Sequence, residues 1–389
     1  MHAEKFLHEL LGNVTHKLRS KALIEVVMAT ITAKQLILTA IGRSIDSSIQ
    51  ERSGIQKVNR LLGNPRLLAE RKAIATRVSD VLLGNKMYPN ILVDWTKYPA
   101  SNDVVLRASL AAEGRSLTLY EERHPAKKMG NNRIQKNFLK ELKAVLPATC
   151  KPTIITDAGF HNDWFREIAK HEWHYVGRIR GMKKCCWVGQ DDYFECGRFW
   201  RKATEEAKEV GEVILTKKNP LITHLYLIKG KLKGRKVRTK RGKIKRDKDS
   251  KNYSRAQREP WLLASSLKGR TAAKKVIRAY KFRMQIEQEF RDLKNNRYGF
   301  SLEESRTKKG DRRSILLLIG MLATLLAWMI GKAGERMGLH YQFQSNSIKT
   351  RRVLSFVYLG CQLIRKKINI PTRNIWESVY FLHREEFEA

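Results

Sequence analysis

Three carboxylates, Asp94, Asp157 and Glu287, lie far apart in the chain, yet each sits where a regular element can aim it. Asp94 follows the short apolar run 90–93 (NILV), and Asp157 follows 152–156 (PTIIT). Glu287 lies in 271–296, TAAKKVIRAYKFRMQIEQEFRDLKNN, a stretch without Gly or Pro that reads as one helix capped by Thr271. At 100° per residue with Tyr280 at zero, Arg283 falls at about 300°, Glu287 at about 340°, Arg291 at about 20° and Lys294 at about 320°. These five polar groups share a stripe roughly 80° wide, while Phe282, Ile286 and Leu293 lie on the far side and can pack on a core. Glu289, near 180° on the same wheel, points away from the cations and is set aside as a rival to Glu287. Three oxygen-donor carboxylates, if gathered, can hold two Mg²⁺ ions about 3.5–4 Å apart. One ion then activates a water or a 3′-hydroxyl and the other stabilises the leaving oxygen. The cations beside Glu287 suit a phosphodiester. Taken alone, the helix could equally be an amphipathic element with a solvated basic face.

The elements around these residues follow an order that can gather them. Residues 1–85 read as helices, broken at Gly63-Asn64-Pro65, and make either a small DNA-binding module or a helical scaffold with basic faces. The runs 90–93, 104–110 and 116–120 read as an antiparallel meander. A helix over 132–146 presents Ile134, Phe138, Leu142 and Val145 on one face. A strand, a helix over 160–170 and another strand over 173–179 complete βββαβαβ. The predicted fold is mixed α/β: a ribonuclease-H-like core in residues 86–180, closed by the helix in 266–300. In that arrangement the first and fourth strands are neighbours and the last helix covers their ends. Residues 181–265 read as a strand-rich insertion, since long structureless loops are rare in compact domains. Residues 301–389 read as a helical C-terminal domain. The basic run 229–258 is expected to contact phosphate.

Composition points to a polyanionic partner. The 77 Lys and Arg against 38 Asp and Glu leave a net charge of +39, spread over every segment. Nucleic acid is the leading partner and an anionic membrane surface the second. The five cysteines are odd in number and scattered, with no C-x-x-C, which predicts a reducing interior and no zinc site. Glu4, His8 and Glu9 break any secretory apolar segment near the start. The run 314–330, SILLLIGMLATLLAWMI, is short for a membrane span and is expected to be a buried helix.

The spacing Tyr280-(2)-Arg283-(3)-Glu287-(6)-Lys294 resembles the Y-R-E-K signature of the DDE transposases of bacterial insertion sequences, family four. The surrounding RMQIEQEFRDLKNNRYGF, ILVDW at 91–95, LRASLAAEGRSLTLYE at 106–121, TDAGF at 156–160 and VNRLLGN at 58–64 look very close to the branch found in the composite tetracycline-resistance transposon. The resemblance covers about residues 20–365. It implies cut-and-paste transposition in the bacterial nucleoid, with Asp94, Asp157 and Glu287 as ligands of two Mg²⁺ ions, for which Mn²⁺ can substitute. Tyr280, Arg283, Arg291 and Lys294 would contact DNA. In relatives a Trp at the close of the insertion stacks on a flipped base, and Trp261 matches it; strand core is the equally open reading of Trp261. The resemblance further implies double-stranded DNA and a second copy of the chain, in a synaptic homodimer, as partners. Two other readings are a catalytically inactive DNA-binding relic acting as repressor and a structure-selective nuclease.

Overall fold

The computed structural model describes residues 2–45, 50–99, 101–230, 243–248, 250, 259–345 and 347–384. Most of the basic run 229–258 therefore lies outside the described residues. The fold is mixed α/β and divides into two compact units, one of residues 1–152 with 284–388, the other of residues 153–283.

The first unit begins with five helices, α1 (His2–Leu11), α2 (Lys17–Ala33), α3 (Leu38–Arg43), α4 (Glu51–Leu62) and α5 (Pro65–Leu83). The break before α5 is the one the sequence marks. Asn64 caps the helix, its Oδ1 accepting the Leu67 N–H at 3.0 Å, and Pro65 takes the first helical position. Then come β1 (Asn90–Lys97), β2 (Asp103–Ala111) and β3 (Ser116–Pro125), the expected antiparallel meander, and α6 (Asn132–Val145). β1 runs three residues past Asp94, because Trp95, Thr96 and Lys97 pair with Leu106, Val105 and Val104. Asp94 is thus inside the strand rather than at its end.

The second unit holds β4 (Thr153–Thr156), α7 (Asn162–Lys170), β5 (His174–Ile179), β6 (Lys184–Trp187), β7 (Phe194–Glu195), β8 (Lys208–Leu215), β9 (Leu221–Ile228), β10 (Trp261–Ser265) and α8 (Ala272–Lys281). Its strands run in the order β4-β5-β10-β9-β8-β6-β7, with β4 and β5 parallel and the other pairs antiparallel. The stretch after β5 is strand-rich, as its composition suggested. α8 packs on β5, β8, β9 and β10.

The single helix expected over 271–296 is two helices. α8 ends at Lys281, and α9 (Met284–Lys294) begins after a turn at Phe282 and Arg283 and belongs to the first unit. In that turn the Phe282 and Arg283 N–H groups bond the Ala279 and Tyr280 carbonyls three residues back, tightening the end of α8. Thr271 stands at the start of α8 without a side-chain capping bond. A continuous helix would put Tyr280 and Glu287 on one face. Instead Tyr280 is 3% exposed and Glu287 is exposed, and the turn is what allows the two phases.

The remaining helices of the first unit are α10 (Gly310–Arg336), α11 (Phe356–Arg365) and α12 (Thr372–Arg384). α10 is long and apolar enough to cross a membrane, but its most apolar 18-residue window is wholly buried within the protein. It packs against α2, α5, β3, α11 and α12. Its crossing with α11 needs glycine on both sides. A Cβ on Gly360 would come 1.9 Å from the Ala327 carbonyl oxygen, and one on Gly331 would come 2.0 Å from that of Phe356. Gly360→Ala should therefore destabilise the chain by about 1–3 kcal/mol through overpacking, read as a lowered denaturation midpoint; an unchanged midpoint would show that the helices separate without cost.

Candidate active site

α9 carries three distinct stripes. Gln285, Gln288, Glu289 and Asp292 form one, spaced i, i+3, i+4, i+7. Ile286, Phe290 and Leu293 form a second, and all three are buried. Glu287, Arg291 and Lys294 form the third, roughly opposite the first on a 100° wheel.

The first stripe is bolted to the meander. Asp94, Arg107 and Glu121 face one another across β1, β2 and β3 as one row on one face of the sheet. Arg107 is 2% exposed and donates through Nε and Nη2 to Glu121 Oε2 at 2.9 and 2.6 Å, and through Nη1 to Glu289 Oε1 at 3.2 Å. Ser116 Oγ donates to Glu289 Oε2 at 2.5 Å, and the Thr118 hydroxyl donates to Oε1. A register shift between β2 and β3 at Ala108 and Ser109 makes this possible. The extra residue puts Thr118 and Ser116 on the face that carries Glu121, where strict alternation from Glu121 would turn them away. Burial alone would lower the Arg107 pKa, but the Glu121 and Glu289 carboxylates outweigh it and the guanidinium is held charged. Further along, Arg115 Nε donates to Asp292 Oδ2 at 2.6 Å and its Nη1 to Gln288 Oε1 at 2.8 Å. Gln285 brackets the Ala112 backbone, donating to its carbonyl at 2.7 Å and accepting its N–H at 3.2 Å. Glu289 is thus a structural residue, in accord with its exclusion on the helical wheel.

With that stripe fixed, the third one faces a pocket of about 370 Å³ lined by Asp94, Trp95, Thr96, Glu287, Phe290, Arg291, Lys294, Asn295 and Glu303. Four of the expected site residues, Asp94, Glu287, Arg291 and Lys294, therefore share one pocket in the first unit. Asp94 Oδ1 accepts the Trp95 N–H at 2.8 Å. Lys294 Nζ donates to Thr96 Oγ1 at 2.5 Å and lies 5.7 Å from the Phe290 ring centroid. Burial, reinforced by the Arg107 charge and opposed by Glu303 and Asp94, draws its pKa down to about 8.

The other expected residues belong to the second unit. Asp157 is the first residue beyond β4, and its Oδ1 accepts the Gly159 N–H at 2.8 Å in an Asx-type turn. Tyr280 is buried, and its hydroxyl pKa is raised by burial, against the pull of Arg283 and Arg178. Trp261, half-exposed at the start of β10, meets the Tyr280 ring edge-on at 4.9 Å between centroids. The residue packs on Tyr280 while remaining partly exposed. Arg178 in β5 and Arg180 just beyond its end both reach Glu259, at 3.7 and 3.1 Å.

Sequence reasoning did not single out Thr96, Glu303, Arg178 or Arg180. The signal for Thr96 was available, since it lies two residues beyond Asp94 and shares its strand face. So was the alternation in Arg178-Ile179-Arg180. Glu303 sits in a short 3₁₀ turn, Leu302–Glu304, and had no signal.

Among the described residues no group of three or more His, Cys, Asp or Glu side chains is gathered as a metal site. The first-unit pocket nonetheless has the donor chemistry of a hard cation: carboxylates at Asp94, Glu287 and Glu303, an amide at Asn295, and neither Cys nor His.

A family model described as "Transposase DDE domain" matches residues 91–326, more than half of the chain. The chain belongs to that family. The DDE domain so matched contains Asp94, Asp157 and Glu287. No curated protein matches the chain. Among solved structures the chain is similar to the piggyBac transposase in a cryo-EM synaptic complex with hairpin DNA, at 11% identity and a TM-score of 0.39, over 99% of this chain and 84% of that one.

The stripes of α9 predict opposite responses from two nearby acids of this transposase domain. Glu289→Ala leaves the buried Arg107 short of one carboxylate and should cost about 3–5 kcal/mol of stability. Glu287→Gln, on the exposed stripe, should change stability by no more than about 0.5 kcal/mol. Denaturant titration of both variants checks this, and equal losses would contradict the assignment of the stripes.

Proposed function

We propose that this DDE transposase is a cut-and-paste enzyme of the insertion-sequence type, family four, that cleaves the ends of its own element and joins them to target DNA. The observation that carries the reading is the single pocket in which Asp94 and Glu287 stand beside Lys294 and Arg291. Two acids beside two cations in a pocket with oxygen donors suit a phosphodiester held at a divalent ion.

In this reading Asp94, Asp157 and Glu287 hold two Mg²⁺ ions, or Mn²⁺ in their place. Bound there, the ions supply an activated oxygen nucleophile and stabilisation of the leaving oxygen. Lys294 and Arg291 grip the phosphate beside Glu287 and fix the strand. Tyr280 and Arg283 grip a second phosphate, with Trp261 offering the open part of its ring to an unstacked base. Water nicks the element end, the freed 3′-hydroxyl attacks the opposite strand to make a hairpin, and a second water opens it. The 3′-ends then attack target DNA. The net charge of +39 supports binding along a length of duplex. The resemblance to family four supports a homodimer holding two ends.

Asp94→Asn, Asp157→Asn and Glu287→Gln should each abolish Mg²⁺-dependent nicking of an end-bearing duplex, by at least about a thousandfold, while end binding in a gel shift persists. Unchanged nicking in any one of them would remove that residue from the site. Binding by the wild-type chain without cleavage in Mg²⁺ or Mn²⁺ would mark a DNA-binding relic.

A further inference from the structure

Thr96 stands two residues beyond Asp94 in β1, so the pleat of the strand brings both side chains to the same face and into the same pocket. Its backbone is fixed by pairing with Val105, and as a β-branched residue it has little rotamer freedom. Its Oγ1 accepts a hydrogen bond from Lys294 Nζ at 2.5 Å. Lys294 comes from α9, and its four-carbon stem would otherwise sample many rotamers. Phe290, one turn back along α9, bounds the ammonium on another side.

We propose that Thr96 is a positioning residue that holds the Lys294 ammonium at the Asp94–Glu287 pocket, ready to meet a DNA phosphate. This deepens the functional reading above and rests on it for the role of Lys294. A hydroxyl is well suited to the task. It accepts a hydrogen bond from one of the three ammonium N–H groups and leaves the positive charge intact, so other donors remain to meet a phosphate oxygen. A carboxylate at position 96 would hold the ammonium more strongly but would compete with the phosphate for it. Fixing the lysine before DNA arrives removes an ordering cost from binding.

The test is a double-mutant cycle on the full chain, with a duplex carrying the DNA that borders its gene as the probe and binding measured without divalent metal. Thr96→Val, nearly isosteric but without the acceptor, and Lys294→Met should each weaken end binding about tenfold, the loss expected for a bond to a charged group. The double variant should bind no more weakly than Lys294→Met alone, because Thr96 acts through the lysine. Thr96→Ser should restore binding to within about twofold of the wild type, since the acceptor returns. Thr96→Ala repeats the cycle in case valine disturbs β1, with thermal melts to confirm folding. Wild-type affinity in both Thr96→Val and Thr96→Ala, or losses that multiply in the double variant, would overturn the proposal. Mg²⁺-dependent nicking by the wild type, absent in Asp94→Asn, reports separately on the functional reading. A chain that binds ends without nicking fails that reading, while the cycle is still read from binding.

Discussion

The buried contact among Arg107, Glu121 and Glu289 is the constraint from which the first-unit pocket follows. A guanidinium 2% exposed cannot be left partly unpaired, so Glu289 must sit over β2 and the rotation of α9 is fixed. Once it is fixed, the helical repeat leaves no choice for its neighbours. Glu287 and Lys294 must face away from the bolted stripe, and there they find Asp94 and Thr96 of the adjacent strand. The row Asp94–Arg107–Glu121 ties the two together, since the residue opposite Asp94 is the one that holds the helix. Glu289 thus serves the packing, while Glu287, two positions away on the same helix, faces the pocket.

The same arrangement shapes the electrostatics. Arg107 lies 4.8 Å from the centroid of the Phe290 ring, and Lys294 lies 5.7 Å from it. One cation is committed to buried carboxylates. The other is half-buried at the pocket, still charged at neutral pH but with its pKa drawn down to about 8 by desolvation and by Arg107. A phosphate entering the pocket would offset both effects, so the lysine gains most when substrate arrives.

Much of this was legible in the sequence, for reasons that differ from element to element. The meander could be read because its strands alternate and end in turn signals, and α5 because Asn64-Pro65 is a cap with a start residue. Asp157 could be placed beyond β4 because PTIIT is a short apolar strand followed by a turn. The extension of β1 past Asp94 was hidden, since pairing of Trp95–Lys97 with β2 is a tertiary fact and the segment has no apolar run. The break between α8 and α9 was hidden too. No Gly or Pro marks it, and helix propensity continues through Phe282 and Arg283. What the chain needs there is a change of phase, burying Tyr280 against Trp261 while exposing Glu287, and a wheel drawn through both assumes that change away. The role of Glu289 could be half seen: the wheel pointed it away from the cations, but its partner Arg107 lies 182 positions distant. The register shift that turns Ser116 and Thr118 toward it leaves no mark in composition.

We propose that Asp94, Asp157 and Glu287 together hold divalent ions against DNA. Anomalous scattering from Mn²⁺ in crystals of the chain bound to an end-bearing duplex tests it most directly. The account predicts manganese peaks within coordination distance of all three carboxylates, with a DNA phosphate oxygen completing the shell. Manganese bound elsewhere, or Asp157 remote from ions held by Asp94 and Glu287, would contradict it.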